Sequence, residues 1–177
     1  MTTEGDLVGP IPEGVEPSEY DRLRRRVLWS LPMGLYLLGS RDAERLNLMT
    51  LNWLMQVSTR PKQVAISVEK SAVTHGLVRS GGAFAVSVLS REDRAVARKF
   101  VKPAVHDPEA RTLNGFAYHV ATTGAPIAEV AAAYLDCEVR QCVDVGSHTL
   151  FVGEVVDAGG HEVPVLRMED TRMSYGG

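Results

Sequence analysis

Residues 64–89 read VAISVEKSAVTHGLVRSGGAFAVSVL, and this stretch contains a strand, a short helix and a second strand in succession. In residues 64–68 large apolar side chains stand at every second position, as in a strand with one buried face. Ser71 can cap a helix that ends at the glycine pair 81–82. Residues 84–89 form the next apolar run. The stretch therefore predicts two strands joined by a short crossover helix.

Strand patterns also dominate on either side of this stretch. Residues 33–50 alternate around a polar turn, which predicts a hairpin, and residues 135–156 predict a longer hairpin with its turn at 144–147. Residues 115–120 are short and apolar enough to be another strand. Helices are predicted after Ser90, whose spacing to Asp93 is typical of a helix start, and over residues 18–28. Six or more strands with two or three short helices, and no regular β-α-β alternation, predict a mainly β fold, a closed antiparallel barrel with helices outside it.

Length and composition are typical of one globular domain. The chain has 177 residues, 45% of them apolar and 23% charged. Residues 1–17 contain Pro10, Pro12 and Pro17 between acidic residues and glycines, which predicts a flexible N-terminal arm, so we expect a single domain over residues 18–177.

The charge distribution argues against several classes of partner. The formal net charge is −3, and basic and acidic residues are mixed along the chain, which predicts neither nucleic-acid binding nor attachment to an anionic membrane. The N-terminal sequence lacks the basic and apolar regions of a signal peptide, and no apolar run approaches the length of a membrane span. We therefore expect a cytoplasmic protein.

Common metal, redox and nucleotide motifs are missing from the sequence. Cys137 and Cys142 stand five residues apart, so on one strand they point to opposite faces as ordinary thiols. The five histidines form no metal-ligand pattern, so no metal site is predicted. The sequence also has no dinucleotide-binding glycine motif, no P-loop and no hydrolase elbow.

Short polar side chains collect around the first predicted strand-to-helix junction. The hydroxyls of Ser71 and Thr74, the charge of Lys70 and the N–H groups at the helix start suit a phosphate. Other side chains can hydrogen-bond to a flat heteroaromatic ring or pack against it: Asn47, Thr50, Asn52, Ser67, Met49 and Trp53. The pattern indicates an aromatic ligand with a phosphate tail, although the same residues also suit a helix cap, a core tryptophan and turn asparagines.

These segments, in this order, resemble the flavin-reductase-like, split-barrel FMN-binding family. The resemblance covers roughly residues 30–170. It rests on an ordered set of short motifs: Leu31-Pro32-x-Gly34, Asn47-x-Met49-Thr50 with Trp53, Val57-Ser58, Ser67-Val68 before Ser71-x-x-Thr74, Ser80-Gly81-x-x-Phe84, Gly124-x-Pro126, Leu135-x-Cys137-x-Val139, and Gly146-x-His148-x-Leu150.

The resemblance implies a fold, a chemistry and a set of site residues. It implies an antiparallel split barrel, a homodimer, and FMN, or else FAD, reduced by NADH or NADPH. His148 would be the catalytic residue, beside the nicotinamide. The implied cofactor-binding residues are Asn47, Met49, Thr50, Asn52, Trp53, Ser67, Val68, Glu69, Lys70, Ser71 and Thr74.

Two departures from the family pattern leave the function open. Ser147 stands where members often have aspartate, and Leu51 or Asn52 stands where they often have a small residue. The resemblance implies a flavin reductase, with a monooxygenase as one candidate acceptor of its reduced flavin. The Ser147 departure favours an alternative, an FMN-binding electron carrier reduced by a protein partner rather than by NAD(P)H. A barrel that binds another planar cofactor, such as haem or a deazaflavin, is a third hypothesis.

Overall fold

The computed structural model describes residues 9–175, which form two compact units. Among the described residues, one unit contains residues 9–32 and 172–175, and the other contains residues 33–171. The arm predicted over residues 1–17 falls partly outside the described residues, and residues 9–16 contain no helix or strand. Its flexibility, and the single domain expected over residues 18–177, remain predictions.

The helix predicted over residues 18–28 is confirmed as α1 (Pro17–Trp29). The Glu16 carboxylate accepts a hydrogen bond from the N–H of Glu19, which satisfies one of the unpaired donors of the first turn. A proline at the first helical position adds to the start signal, because it has no N–H to leave unpaired. Among the helices of residues 9–175, none combines the length and the apolar character that crossing a membrane requires.

The second unit consists of antiparallel strands with short helices between them. Its strands are β1 (Tyr36–Arg41), β2 (Leu46–Leu51), β3 (Leu54–Thr59), β4 (Lys62–Glu69), β5 (Ala83–Val88), β6 (His106–Asp107), β7 (Thr112–Leu113), β8 (Phe116–Val120), β9 (Pro126–Ala128), β10 (Ala133–Asp144) and β11 (His148–Gly160). Its α-helices are α2 (Val73–Gly81) and α3 (Arg94–Ala97), and its 3-10 turns are Arg91–Asp93, Arg98–Phe100 and Met168–Asp170. The predicted mainly β class, both hairpins, and the strand, helix and strand of residues 64–89 are confirmed.

Seven strands form one curved sheet in the order β2-β1-β5-β10-β11-β4-β3, and β6 to β9 form a second sheet. The edge strands β2 and β3 are consecutive in the chain and are joined only by Asn52 and Trp53. So short a link requires the sheet to curl until its edges lie near each other. No ladder of hydrogen bonds joins β2 to β3 in the described residues, so the closed barrel expected from the strand pattern is wrong and the split barrel is confirmed. The physical reason is that Trp53 directs its carbonyl to the N–H of Ser67 on β4 instead.

The inside of the barrel is filled by apolar side chains from most of its strands. The buried cluster contains Leu38, Leu51, Val64, Ile66, Val68, Val78, Phe84, Val86, Cys137 and Phe151. On the outside, Ala85 of β5 packs against Ala125 and Ile127 beside β9. At Gly39 of β1 an added Cβ would lie 1.8 Å from the carbonyl oxygen of Pro126, so only glycine allows β9 to pack this closely. Cys137 is buried and Cys142 is exposed, but the opposite faces predicted for the two thiols are not confirmed, because the bulge between Val139 and Gln141 reverses the alternation of β10 between them.

The predicted helix starts are partly corrected by the structure. Ser71 is not the cap of α2, because the N-cap position is Ala72 and no side chain caps the helix. The reason is a turn in which the Ala72 N–H bonds the Glu69 carbonyl, which leaves Ser71 exposed on the turn. Ser90 does cap the next element, accepting from the N–H of Glu92, but that helix is divided into α3 and flanking 3-10 turns.

His75 on α2 makes folding stability depend on pH. Its ring Nε2 lies 2.8 Å from the Thr149 hydroxyl, and burial lowers its pKa below the ordinary 6.5, with Arg79 and Lys70 adding to the effect. As pH falls through this range the unfolded chain binds more protons than the folded one, so stability falls. We expect the Tm to drop between about pH 7.5 and about pH 5.5, and to drop less in His75→Gln. Thermal unfolding at both pH values checks this, and an unchanged slope in His75→Gln, with exposed His161→Gln as control, contradicts it.

Candidate active site

Three chain segments meet at one end of the split barrel. The link between β2 and β3 is held to β4 by the hydrogen bond from the Ser67 N–H to the Trp53 carbonyl, at 3.1 Å. The start of β11 lies on the other side of β4, where His148 pairs with Glu69 in the antiparallel register. The Lys70 N–H donates to the Ser147 carbonyl at 3.0 Å and extends this pairing by one residue. The fold therefore brings together side chains that are about a hundred residues apart in the chain.

An aromatic pair forms one wall of this end of the barrel. The rings of Trp53 and His148 lie 4.8 Å apart between centroids and are tilted by 51°. The Nδ1 atom of His148 is 2.8 Å from the hydroxyl of Ser147. Burial lowers the pKa of His148 below its ordinary value of 6.5, although the nearby Glu69 carboxylate acts in the opposite direction. The imidazole is therefore mainly neutral at pH 7, and the pair presents an uncharged, angled aromatic surface.

The start of α2 can receive an anion. No side chain caps this helix, and in residues 9–175 the N–H groups of Val73 and Thr74 have no backbone acceptor. Ser71 is exposed at the same turn, and its hydroxyl has no hydrogen-bond partner among those residues. Lys70 adds a positive charge, and its Nζ is 2.6 Å from Asp144. Uncapped N–H groups at the positive end of a helix, with a hydroxyl and an ammonium group, are what a phosphate requires.

Comparison with known proteins identifies the family. Residues 28–173 match the family described as "Flavin reductase like domain". The chain belongs to the flavin reductase-like family.

Relatives of this flavin reductase-like chain cover most of its length. It is 34% identical to the ferric-chelate reductase (NAD(P)H) of Archaeoglobus fulgidus over 73% of this chain and 77% of the relative. The solved structure of the NADH:FAD oxidoreductase of Streptomyces globisporus matches with a TM-score of 0.69 and 31% identity, over 85% of this chain and 88% of that one. The styrene monooxygenase flavin reductase of Pseudomonas putida matches with a TM-score of 0.67 and 30% identity, over 80% and 88%.

Some relatives are longer than this flavin reductase-like chain. It is 30% identical to the high molecular weight rubredoxin of Moorella thermoacetica, over 75% of this chain and 58% of the relative. The chain therefore spans little more than half of that protein.

Asn47 and Thr74 form a buried link behind the start of α2. The Asn47 side chain donates to the Thr74 hydroxyl and accepts from the N–H of Ala104, each at 2.8 Å. Both residues are almost fully buried. In this flavin reductase-like domain they hold β2, α2 and the segment at Ala104 together, and so fix the position of the α2 N–H groups.

The other implied cofactor residues differ in how they reach the site. Thr50 donates its hydroxyl to the Ala97 carbonyl, and the side-chain amide of Asn52 lies 3.4 Å from the sulfur of Met33. Met49 is half-buried against the barrel core, and Val68 is buried inside it. At this end of the barrel Glu69, Lys70 and Ser71 are exposed, and Trp53, Ser67 and His148 are half-buried.

Two contacts of this flavin reductase-like site could not be found from sequence spacing. The ion pair between Lys70 and Asp144 joins residues 74 positions apart, and the bond from Thr50 to the Ala97 carbonyl spans 47. Asp144 belongs to a predicted turn, but no sequence pattern indicates that it pairs with Lys70. Ser147 was a departure from the family pattern, and the structure gives it a specific contact with His148.

Asn47→Ala should destabilise the flavin reductase-like domain. It leaves the buried Thr74 hydroxyl and the half-buried Ala104 N–H without their partner, which costs about 2 kcal/mol in the free energy of unfolding. Urea unfolding measures the loss. The matched control is Gln56→Ala, an exposed amide on β3, with an expected change below about 0.5 kcal/mol. Equal losses in the two variants would contradict the role of Asn47.

Proposed function

We propose that this protein is an NAD(P)H:flavin oxidoreductase that binds FMN at the end of the barrel where β2 passes to β3. The observation that carries the proposal is the tilted pair of Trp53 and His148 beside the uncapped start of α2. An aromatic wall and a phosphate cradle on one face suit the two ends of a flavin nucleotide. Relatives named as an NADH:FAD oxidoreductase and an NAD(P)H-dependent ferric-chelate reductase support the same chemistry.

The residues at the start of α2 fit the phosphate of a flavin mononucleotide. The N–H groups of Val73 and Thr74 and the hydroxyl of Ser71 belong to one turn, and the helix dipole adds to their attraction for an anion. Lys70 precedes this turn, and its ammonium group is paired with Asp144. One such cradle accommodates one phosphate group, which favours FMN over FAD. Asn47 and Thr74 hold the cradle from behind.

The residues around Trp53 serve the ring end of the site. The chemistry that flavin supplies when bound is acceptance of a hydride from NADH or NADPH. The half-buried rings of Trp53 and His148 provide an aromatic wall beside which a nicotinamide ring can be positioned. His148 is mainly neutral at pH 7, so its imidazole can share a hydrogen bond with a neutral carboxamide without adding a charge.

The exposed apolar side chains of β3 support assembly as a homodimer. β3 is an edge strand, and Met55 and Val57 on it are 63% and 44% exposed. Apolar side chains on an unpaired edge invite pairing with another chain. We propose a second copy as the partner at this edge, with the flavin site nearby at Trp53.

Delivery of reduced flavin to a monooxygenase is the proposed use of the reaction. The support is the similarity to the styrene monooxygenase flavin reductase of Pseudomonas putida.

One spectroscopic experiment tests the proposed function. Purified protein is mixed with FMN, its absorption spectrum is recorded, and NADH and then NADPH are added without oxygen. We expect bound flavin that bleaches rapidly with at least one of the two. Bound flavin that stays oxidised with both would favour the electron carrier reduced by a protein partner, and no flavin binding would overturn both functions.

A further inference from the structure

A cavity lies at the end of β1 that is away from the β2–β3 link. It has a volume of about 300 Å³, and its walls come from Arg41, residues 81–83, Thr122, Thr123 and residues 138–140. Tyr36 at one end of β1 pairs with Leu51, next to the β2–β3 link, and Arg41 is at the other end. Tyr36 and Arg41 are five residues apart on this strand, which is a distance of about 17 Å. The cavity is therefore well separated from the Trp53 end of the candidate site. It is closer to the start of α2, because Asn47, which holds Thr74, pairs with Ser40 next to Arg41. The length of α2 from Val73 to Gly81, about 12 Å, separates the cavity from that start.

Arg41 enters this cavity with its guanidinium already oriented. Its Nε donates to the Thr123 carbonyl at 2.7 Å, and the side chain is half-buried. In residues 9–175 no carboxylate lies within 4 Å of this guanidinium, and its Nη groups have no hydrogen-bond acceptor there. A positioned guanidinium with open donors is the preferred partner of a carboxylate or phosphate group.

The acids near Arg41 are already engaged elsewhere. Asp136 is fully buried and accepts from both the N–H and the hydroxyl of Thr123, so it fixes the turn whose carbonyl holds Arg41. Glu138 is 2.8 Å from the guanidinium of Arg140, which also contacts Glu154 at 2.7 Å. The cavity thus combines one uncompensated cation with a carboxylate wall that can accept from a ligand hydroxyl.

The backbone of residues 81–82 leaves space for a ligand. Gly82 has φ +66°, and a Cβ built on it would meet no atom within 4 Å, so the backbone borders open space there. At Gly81 an added Cβ would lie 1.9 Å from the Arg41 carbonyl oxygen, so this glycine lets α2 end directly against β1. The two glycines therefore bring the helix end beside Arg41 without filling the cavity.

We propose that this cavity binds a small metabolite that carries an oxyanion beside a hydroxyl group. Arg41 is the main contact for the oxyanion, and Glu138 accepts from the hydroxyl. The site is separate from flavin binding and from hydride transfer, and its ligand is a second ligand of the protein.

The test is an NMR titration of the full-length protein with citrate and with glycerol 3-phosphate. The two probes distinguish a carboxylate source from a phosphate source. We expect at least one of them to shift the amide signals of Gly81, Gly82 and Thr123, and to leave those of residues 70–74 in place. No shift at about 10 mM of either probe, or shifts confined to residues 70–74, would overturn the proposal.

Two variants and a control make the test specific. Arg41→Gln should weaken binding about tenfold, the loss expected for a charge-assisted hydrogen bond. Arg45→Gln removes an exposed arginine of the same hairpin, paired with Asp42, and should bind like the parent. Glu138→Gln leaves Arg41 untouched and should weaken binding about twofold to threefold, because a neutral amide oxygen accepts the ligand hydroxyl less strongly than a carboxylate does. Unchanged affinity in both Arg41→Gln and Glu138→Gln would refute the assignment. If Arg41→Gln does not fold, unchanged affinity in Glu138→Gln alone refutes it.

Discussion

Ser71→Asp is expected to abolish most of the affinity for FMN. The substitution places a carboxylate where the phosphate is proposed to lie, beside the uncapped N–H groups of α2. Repulsion between like charges at this distance, together with the loss of the N–H groups to the new carboxylate, lowers the affinity about 100-fold. Titration of the protein with FMN, followed by flavin fluorescence, measures the change.

Riboflavin provides the internal control for this prediction. It has the same ring system and no phosphate, so Ser71→Asp should change its affinity less than about threefold. Ser80→Asp places the same charge at an exposed position in the last turn of α2 and should leave FMN binding intact. An equal loss for FMN and riboflavin would show that the substitution disturbs the fold or the ring site, and that the phosphate lies elsewhere.

His148→Ala is expected to lower kcat/KM for NADH or NADPH by about tenfold to a hundredfold while FMN still binds. The imidazole that shares the wall with Trp53 is lost, so the nicotinamide is less well positioned for hydride transfer. Stopped-flow reduction of the FMN-loaded protein measures the rate. Parent-like reductive kinetics in the variant would remove His148 from the mechanism.

The pH profile separates this role from a purely structural one. The pKa of His148 is below 6.5, so the parent should keep its reductive rate around neutral pH and lose it as the pH falls below that value and the ring becomes charged. His148→Gln cannot be protonated, and its rate should lack this acidic decline. Exposed His161→Gln should follow the parent profile.

Local sequence patterns predicted the strands and helices of this chain because each pattern reflects local burial. The alternation in residues 64–68 corresponds to strand β4, in which Val64, Ile66 and Val68 all face the barrel core. The position of Ser71 shows the limit of this reasoning. A serine two residues before a helix looks like a cap, but the bond between the Ala72 N–H and the Glu69 carbonyl shifts the start of the helix by one residue.

The site itself could be predicted only in part. Residue type and spacing predicted Trp53, Lys70 and Ser71 at the site, and the family resemblance added His148. The structure places all four at one end of the barrel. Their pairing depends on the register between β4 and β11, which residue spacing does not reveal. The buried hydrogen bond from Asn47 to Thr74 could not be predicted either, because a short polar side chain between apolar strands suits a ligand contact as well as a buried link.

The two-residue link between β2 and β3 determines how far the gap between these strands can widen when a ligand binds. In a barrel closed by hydrogen bonds between all neighbouring strands, any change in circumference stretches those hydrogen bonds around the whole barrel. Here the two edges are tethered by Asn52 and Trp53 alone, so the gap can widen by a small rotation of two residues while every ladder stays intact. Because Trp53 belongs to this link, we expect any change in the width of the gap to change the angle between the rings of Trp53 and His148.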